Sequence, residues 1–266
     1  MLRAPRILAL VLALVTLAGV ARAERAAADV AAPDGPVDPD APSWQLRAVP
    51  FLWTAEQRGE IELRGIPTDA GLDFEDLVGA LDVGLLLAGE AERGAWTLDW
   101  LAIYLDIGDE RRVGAFDVDV DFQQLVLGAS AGRRIAAIPI GSRSVRVDAL
   151  AGATYTRISA DFEVQGIAFG ASQARGWVDP LVGLRLSSDL GDGWSWRTRL
   201  ELGGFGVGSD RLWRSTSVLR VAFGDRVEAF AGYAMLSYDY DDGSGPSRFS
   251  YDVYQRGPVF GLRVSF

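Results

Sequence analysis

Three features of the sequence predict an all-β protein, a single closed antiparallel up-and-down barrel that crosses a membrane. From Trp44 onward the chain consists of strands of roughly ten residues, separated by short clusters of Gly, Asp and Ser. These strands alternate between apolar and polar residues, which places one face of each strand in an apolar medium. The last strand runs to an aromatic residue, Phe266, whereas the ends of soluble domains are usually frayed and polar.

The N-terminal region predicts secretion. Arg3 and Arg6 precede an apolar run over residues 7–20, and Ala21-Arg22-Ala23 has the small-x-small pattern of a cleavage site. This is the layout of a cleavable signal peptide, which we assign to residues 1–23. Residues 24–43 are rich in Ala, Pro and Asp, a composition typical of a disordered segment, and we expect a periplasmic tether there. The barrel is then predicted over residues 44–266.

The alternation distinguishes two faces. In residues 144–157 the odd positions, from Val145 to Tyr155, are apolar, and the even positions are mostly polar or small. In a membrane barrel the apolar face contacts lipid and the polar face lines the lumen. A secreted chain that crosses a membrane without an apolar helix does so as a closed barrel, so we expect the outer membrane. Breaks in the alternation at Gln123-Gln124 and Gln255-Arg256 predict β-bulges.

We expect ten strands, at residues 44–55, 80–92, 95–108, 115–132, 144–161, 167–187, 193–207, 211–224, 226–240 and 248–266. Eight and twelve are the alternatives, because residues 56–66 form either a separate strand or an extension of the first. Between the first two strands, apolar residues from Phe74 to Leu81 recur at helical spacing, and Asp73 is a suitable N-cap. A short helix is therefore predicted there.

The composition excludes several functions. The formal net charge of −10 argues against nucleic acid as a partner. The absence of Cys excludes disulfides and thiol chemistry. The absence of His removes the usual general base and the commonest transition-metal ligand. We therefore expect a protein that is not an enzyme and holds no cofactor; the alternatives are an enzyme that acts on lipids through carboxylates and a surface adhesin.

Charged residues on the predicted lumen face are the main candidate functional residues. A buried charge needs a partner, so we expect an internal ion-pair network that fills a narrow lumen. The alternative is a pore whose arginines favour anions. The function expected is a structural barrel or a narrow channel for small solutes. The network is predicted to contain Arg146, Asp148, Arg175, Asp179, Arg185, Arg197, Arg199, Glu201, Arg214, Arg220 and Arg263.

Two further sets of residues share a strand face. Asp117, Asp119 and Asp121 lie on one face of one strand, and a Ca²⁺ site is the sharper interpretation. A face paired with arginine is the favoured one, because a single strand does not wrap an ion as a flexible loop does. The outward residues of the last strand are predicted to form the signal for barrel assembly; they are Phe260, Leu262, Val264 and Phe266.

Several local strings resemble a family of Gram-negative outer-membrane β-barrel proteins that has no established activity and is similar in style to the small OmpW and OmpA barrels. The strings are Pro50-Phe51-Leu52-Trp53, Phe74-Glu75-Asp76-Leu77, Gly94-Ala95-Trp96, the run from Gly203 to Asp210, and Gly257-Pro258. Ala234 departs from the family, which more often has Arg after Gly-Tyr. The resemblance implies the barrel fold, the outer membrane, and lipids and the barrel-assembly machinery as partners. We expect a monomer.

Overall fold

The strands close into one antiparallel barrel with ten strand positions, which we call staves. One extra strand pairs with the first stave. The computed structural model describes residues 43–63, 66–69, 71, 81–113, 116–164 and 169–266. The strands are β1 Gln45–Trp53, β2 Glu56–Leu63, β3 Ile66–Asp69, β4 Leu81–Arg93, β5 Trp96–Val113, β6 Phe116–Ile140, β7 Arg143–Val164, β8 Phe169–Gly191, β9 Trp194–Gly204, β10 Arg211–Phe223, β11 Val227–Asp242 and β12 Phe249–Ser265. From β4 onward each strand pairs with the next in sequence, and β12 returns to β1. The predicted antiparallel barrel of ten strands is confirmed.

The first stave consists of β1 and β2, which both pair with β12. Thr54 lies in the break between them and donates two hydrogen bonds to the carbonyl of Pro258, from its N–H at 2.9 Å and from its hydroxyl at 3.1 Å. Gly257 allows this close approach, because a Cβ there would lie 2.1 Å from the carbonyl oxygen of Thr54. Residues 56–63 therefore extend the first strand, which was one of the two alternatives. The extra strand β3 pairs with β2.

The barrel has two distinct ends. One end, which we call the base, holds the start of β1, the end of β12 and the tight turns that precede β5, β7, β9 and β11. There the N–H of Phe266 donates to the carbonyl of Leu46 at 3.0 Å and ties the chain's end to the first stave. The opposite end, which we call the mouth, holds the connection between β9 and β10 and the connection between β11 and β12.

The outward face is apolar over a limited length of each strand. On β6 the apolar run lies between Gln123 and Arg133, and on β12 it lies between Arg256 and Phe266. Toward the mouth the outward residues become polar, as at Asp252, while the inward residues become apolar and aromatic. Each strand thus passes from apolar surroundings near the base into polar surroundings near the mouth.

That change of medium explains why the predicted bulges are wrong. The pairing register runs without a shift through Gln123-Gln124 and through Gln255-Arg256. The alternation breaks there because the outward face changes from apolar to polar while the inward face remains in phase. Within the described ladders, register shifts occur instead at Leu81/Val83, Arg134/Ala136 and Asp189/Gly191.

The predicted short helix is not confirmed. Residues 72–80 lie outside the described residues, and Leu81 begins β4. Within the described part of the chain, the one helical turn is a 3-10 turn at Gly245–Ser247. No helix there has the length and apolarity to cross a membrane. The predicted signal peptide and residues 24–42 of the predicted tether also lie outside the described residues.

Candidate functional site

The lumen is filled in layers from base to mouth, and β12 crosses all of them. Its inward side chains include, in order from the base, Arg263, Val259, Gln255 and Tyr251, and each is buried. They belong to a charged layer at the base, a cavity, a set of amides, and an aromatic layer near the mouth. We treat this layered lumen as the candidate functional site.

The charged layer contains one long chain of alternating ion pairs. Asp99 links Arg185 and Arg199, each at 3.2 Å, and Glu201 links Arg199 and Arg214, at 2.7 and 2.6 Å. Glu201 is only 1% exposed. The complete first chain, in order, is Arg47, Glu92, Arg134, Asp148, Arg185, Asp99, Arg199, Glu201 and Arg214.

A second, shorter chain lies beside the first. Glu90 pairs with Arg197 and, at 3.0 Å, with Arg263. Arg263 pairs in turn with Glu228 at 2.7 Å, and Glu228 lies 3.5 Å from Arg220. This chain also alternates in sign from one member to the next.

Both chains begin and end on arginine. Among the described residues, each chain therefore holds one guanidinium more than it holds carboxylates. Arg47 and Arg214 are the ends of the first chain, and Arg197 and Arg220 are the ends of the second. The paired interior of the base is thus left with an excess of positive charge.

The aromatic layer lies inside the barrel on the side of the mouth. Trp177 stacks on Tyr240 with ring centroids 4.0 Å apart, and it meets Tyr238 edge-on at 6.0 Å. Phe249 and Tyr251 complete the layer and are fully buried. These aromatic side chains form a cluster of buried rings inside the barrel.

Buried polar groups join the aromatic layer to the barrel wall. The hydroxyl groups of Thr156 and Tyr238 lie 3.0 Å apart and share a hydrogen bond. Below them, Gln255 donates to Gln57 at 2.7 Å and to Gln124 at 3.4 Å, across the lumen. Gln57 is the neighbour of Gln255 in the ladder between β2 and β12, whereas Gln124 belongs to the distant strand β6, so the second hydrogen bond links two separate parts of the wall.

Among the described residues, Asp179 has no arginine partner. Its carboxylate accepts hydrogen bonds from the indole N–H of Trp177 at 3.0 Å and from the N–H and hydroxyl of Ser209 at 2.6 and 2.8 Å. Ser209 belongs to the Gly-rich connection between β9 and β10, in which Gly204 and Gly206 adopt positive φ. The glycines therefore form a turn that places Ser209 inside the barrel.

A separate set of ion pairs lies at the mouth. Arg175 pairs with Asp242 at 3.1 Å and donates to the carbonyl of Ser247. Arg248 pairs with Asp241 at 2.6 Å, and this hydrogen bond raises the pKa of the Arg248 guanidinium above its usual value. The structure thus places Arg175 at the mouth and not in the charged layer.

Sequence reasoning located some members of the charged layer and missed others. The structure brings together Asp148, Arg185, Arg197, Arg199, Glu201, Arg214, Arg220 and Arg263. Arg146 faces inward near Glu92 and acts on it electrostatically. The missed members are Arg47, Glu90, Glu92, Asp99, Arg134 and Glu228. Of these, Asp99 could have been predicted from the sequence, because it alternates on β5 with the outward residues Leu98 and Trp100.

The remaining candidate residues lie outside this layer. The side chains of Asp117 and Asp119 are outside the described residues, and Asp121 is exposed. Among the described residues no group of three acidic side chains is arranged to hold a metal. On the last strand Phe260, Leu262 and Phe266 are exposed on the outward face.

Solved structures with a similar architecture include outer-membrane proteins. The outer membrane protease OmpT from Escherichia coli matches at 10% identity and a TM-score of 0.47, covering 85% of this chain and 97% of that one. Ail, the attachment invasion locus protein of Yersinia pestis, matches at 15% identity and a TM-score of 0.37, covering 84% and 98%. The translocator domain of the autotransporter NalP from Neisseria meningitidis matches at 15% and 0.37, covering 94% and 96%. No family model and no curated protein matches the chain.

The match to a protease corrects one expectation. We expected from the absence of histidine that this protein is not an enzyme, but a barrel with a similar architecture is a protease. The missing histidine removes only those mechanisms that depend on histidine.

Proposed function

We propose that this protein is an outer-membrane β-barrel with a closed lumen, a structural membrane protein and not an open pore. The observation that carries the proposal is that two separate layers of side chains fill the lumen. Paired charges such as Glu201 with Arg214 occupy the base, and stacked aromatics such as Trp177 with Tyr240 occupy the side of the mouth. Conduction requires a continuous polar path, and these two layers interrupt it in different ways.

The outward belt supports a membrane location. Its apolar runs on β6 and β12 have about the 9–11 residues that a tilted strand needs to cross a bilayer. Arg133 lies over the ring of Trp96 at one boundary of the belt, and Arg256 lies over Tyr254 at the other. Aromatic rings and long cationic side chains of this kind are typical of membrane–water interfaces. A soluble protein does not expose so large a continuous apolar surface.

Above the belt, the barrel has the pattern of a water-soluble protein. Outward residues such as Asp239 and Asp252 are polar, and inward residues such as Tyr238 and Tyr251 are buried. We assign the mouth to the outer surface of the membrane and the base to the periplasm. Cleavage of the signal peptide before Glu24 would then leave the tether in the periplasm. N-terminal sequencing of the mature protein tests the position of cleavage.

Conductance measurements test the closed lumen. Purified protein in planar bilayers is expected to give no steady current, because both layers are intact. A variant without both layers, with Trp177→Ala and Tyr238→Ala combined with Arg199→Ser and Arg214→Ser, is expected to give discrete steps. Such steps would show that the protein inserts into the bilayer in an orientation in which a current can be detected.

Matched controls separate the lumen from the wall. The outward substitutions Trp96→Ala and Trp194→Ala change the same residue type without altering the lumen, so that variant is expected to remain silent. A heat-dependent shift in gel mobility reports whether each variant is folded. Large anion-selective steps from the wild-type protein would overturn the proposal and favour an open, arginine-lined pore.

A further inference from the structure

A cavity of about 210 Å³ lies between the charged layer and the amides. This volume exceeds the roughly 150 Å³ that accommodates a benzene ring in an apolar protein cavity. One part of its lining is apolar and includes Phe51, Leu101, Ile103, Phe230 and Val259. Another part is cationic and consists of Arg185, Arg197, Arg199, Arg214, Arg220 and Arg263, with Glu90 and Asp99 as the acidic members.

The excess charge of the network is concentrated at this cavity. Arg214 is one end of the first ion-pair chain, and Arg197 and Arg220 are the two ends of the second. All three line the cavity. An arginine at the end of an alternating chain has a carboxylate on one side only, so part of its positive charge is not compensated within the described lumen.

Arg220 is the least satisfied of these ends. It is 6% exposed, and within the described part of the chain its Nε and Nη1 atoms have no hydrogen-bond acceptor. Its nearest acid is Glu228, whose Oε2 lies 3.5 Å from Nη1, beyond good hydrogen-bond distance, while the Oε1 of Glu228 is held by Arg263 at 2.7 Å. Leaving buried donors of a cation without acceptors is costly, which a bound anion would offset.

An aromatic ring lies directly beside this arginine. Phe230 is opposite Arg220 in the ladder between β10 and β11, so the two side chains share the inward face. The ring of Phe230 lies over Gly261, where a Cβ would come within 2.5 Å of it. The glycine thus leaves room for the ring, and the cavity presents a flat apolar surface next to two unsatisfied donors.

We propose that this cavity binds a small organic anion with a compact apolar body, of the class of aromatic carboxylates. Its carboxylate accepts hydrogen bonds from Arg220, because a guanidinium matches a carboxylate in shape and charge. Its apolar body packs against Phe230 and Val259. This binding site goes beyond the proposed closed barrel, and it does not require a membrane.

Isothermal titration calorimetry of the folded full chain in detergent micelles tests the site. Benzoate is expected to bind saturably in the millimolar range or tighter. Benzamide, which is similar in shape but neutral, and inorganic phosphate, which has charge but no apolar body, are expected not to bind at the same concentrations. Equal binding of benzamide, binding of phosphate, or no binding of benzoate would each overturn the proposal.

Two pairs of variants locate the site. Arg220→Met is expected to weaken benzoate binding at least tenfold, whereas Arg211→Met, at an exposed arginine on the same strand, leaves it within twofold. Ala234→Leu fills the cavity and is expected to abolish binding, whereas Ala231→Leu, on the outward face of the same strand, leaves it unchanged. Since Ala234→Leu alters no charge, it tests the site even if Arg220→Met fails to fold. Undiminished binding by the folded form of either cavity variant would overturn the proposal.

Discussion

The Oδ1 atom of Asp179 accepts two hydrogen bonds from Ser209, one from the backbone N–H at 2.6 Å and one from the hydroxyl at 2.8 Å. Both residues are completely buried. The interaction fixes the connection between β9 and β10 to the inner face of β8. The carboxylate has no arginine partner within the described part of the chain, and Ser209 supplies donors that its burial requires.

Ser209→Ala is expected to destabilise the barrel. It removes one donor from a buried carboxylate but keeps the backbone N–H, so we expect the free energy of unfolding to fall by about 1–3 kcal/mol. Urea unfolding of the protein in detergent micelles measures this change. Ser172→Ala, at an exposed serine on β8, is the control and is expected to have little effect. Equal stability of the two variants would contradict the assigned role of Ser209.

Glu201→Gln is expected to be more damaging. Glu201 is 1% exposed and holds Arg199 and Arg214, so its neutralisation leaves two partly buried guanidiniums without their shared carboxylate. We expect a loss of about 3–5 kcal/mol in the free energy of unfolding. The same substitution at the exposed Glu60 is the control. An unfolding curve unchanged from wild type would mean that the network contributes little to stability.

Loss of the hydroxyl group is expected to lower the free energy of unfolding at one tyrosine of the aromatic layer but not at another. The Tyr238 hydroxyl shares a hydrogen bond with Thr156, so Tyr238→Phe is expected to destabilise by about 1 kcal/mol. The Tyr251 hydroxyl is buried without a partner among the described residues, so Tyr251→Phe is expected to be neutral or stabilising. Equilibrium unfolding of the two variants, which differ only in position, measures the contrast. Equal destabilisation would show that the Tyr251 hydroxyl has an acceptor.

Deletion of Phe266 is expected to impair assembly more than the stability of the assembled barrel. Its N–H closes the ladder to Leu46, and its exposed ring is part of the outward face of the last strand. Cell fractionation with protease treatment is expected to find unassembled chain in the periplasm. Phe266→Tyr keeps the ring and the terminus and is expected to assemble. Normal insertion of the shortened chain would refute the role of this residue.

The aromatic residues of the strands fall into two groups. Trp96, Trp100 and Trp194 are exposed on the outward face, whereas Tyr238 and Tyr251 are buried inside the barrel. Sequence alone does not separate the two groups, because an aromatic ring suits both an interface and a core. Their location depends on how far each strand extends beyond the belt.

The sequence by itself determined the strand pattern, the closed barrel and which face of each strand points inward, because alternation with a period of two is a local property. Only the tertiary structure decided which charges meet. Asp99 pairs with Arg185 and Arg199, which both lie far from it along the chain, because a barrel brings distant strands together across its lumen. The cavity, the excess of arginine around it and the partner of Asp179 depend on the same closure, so no local pattern indicates them.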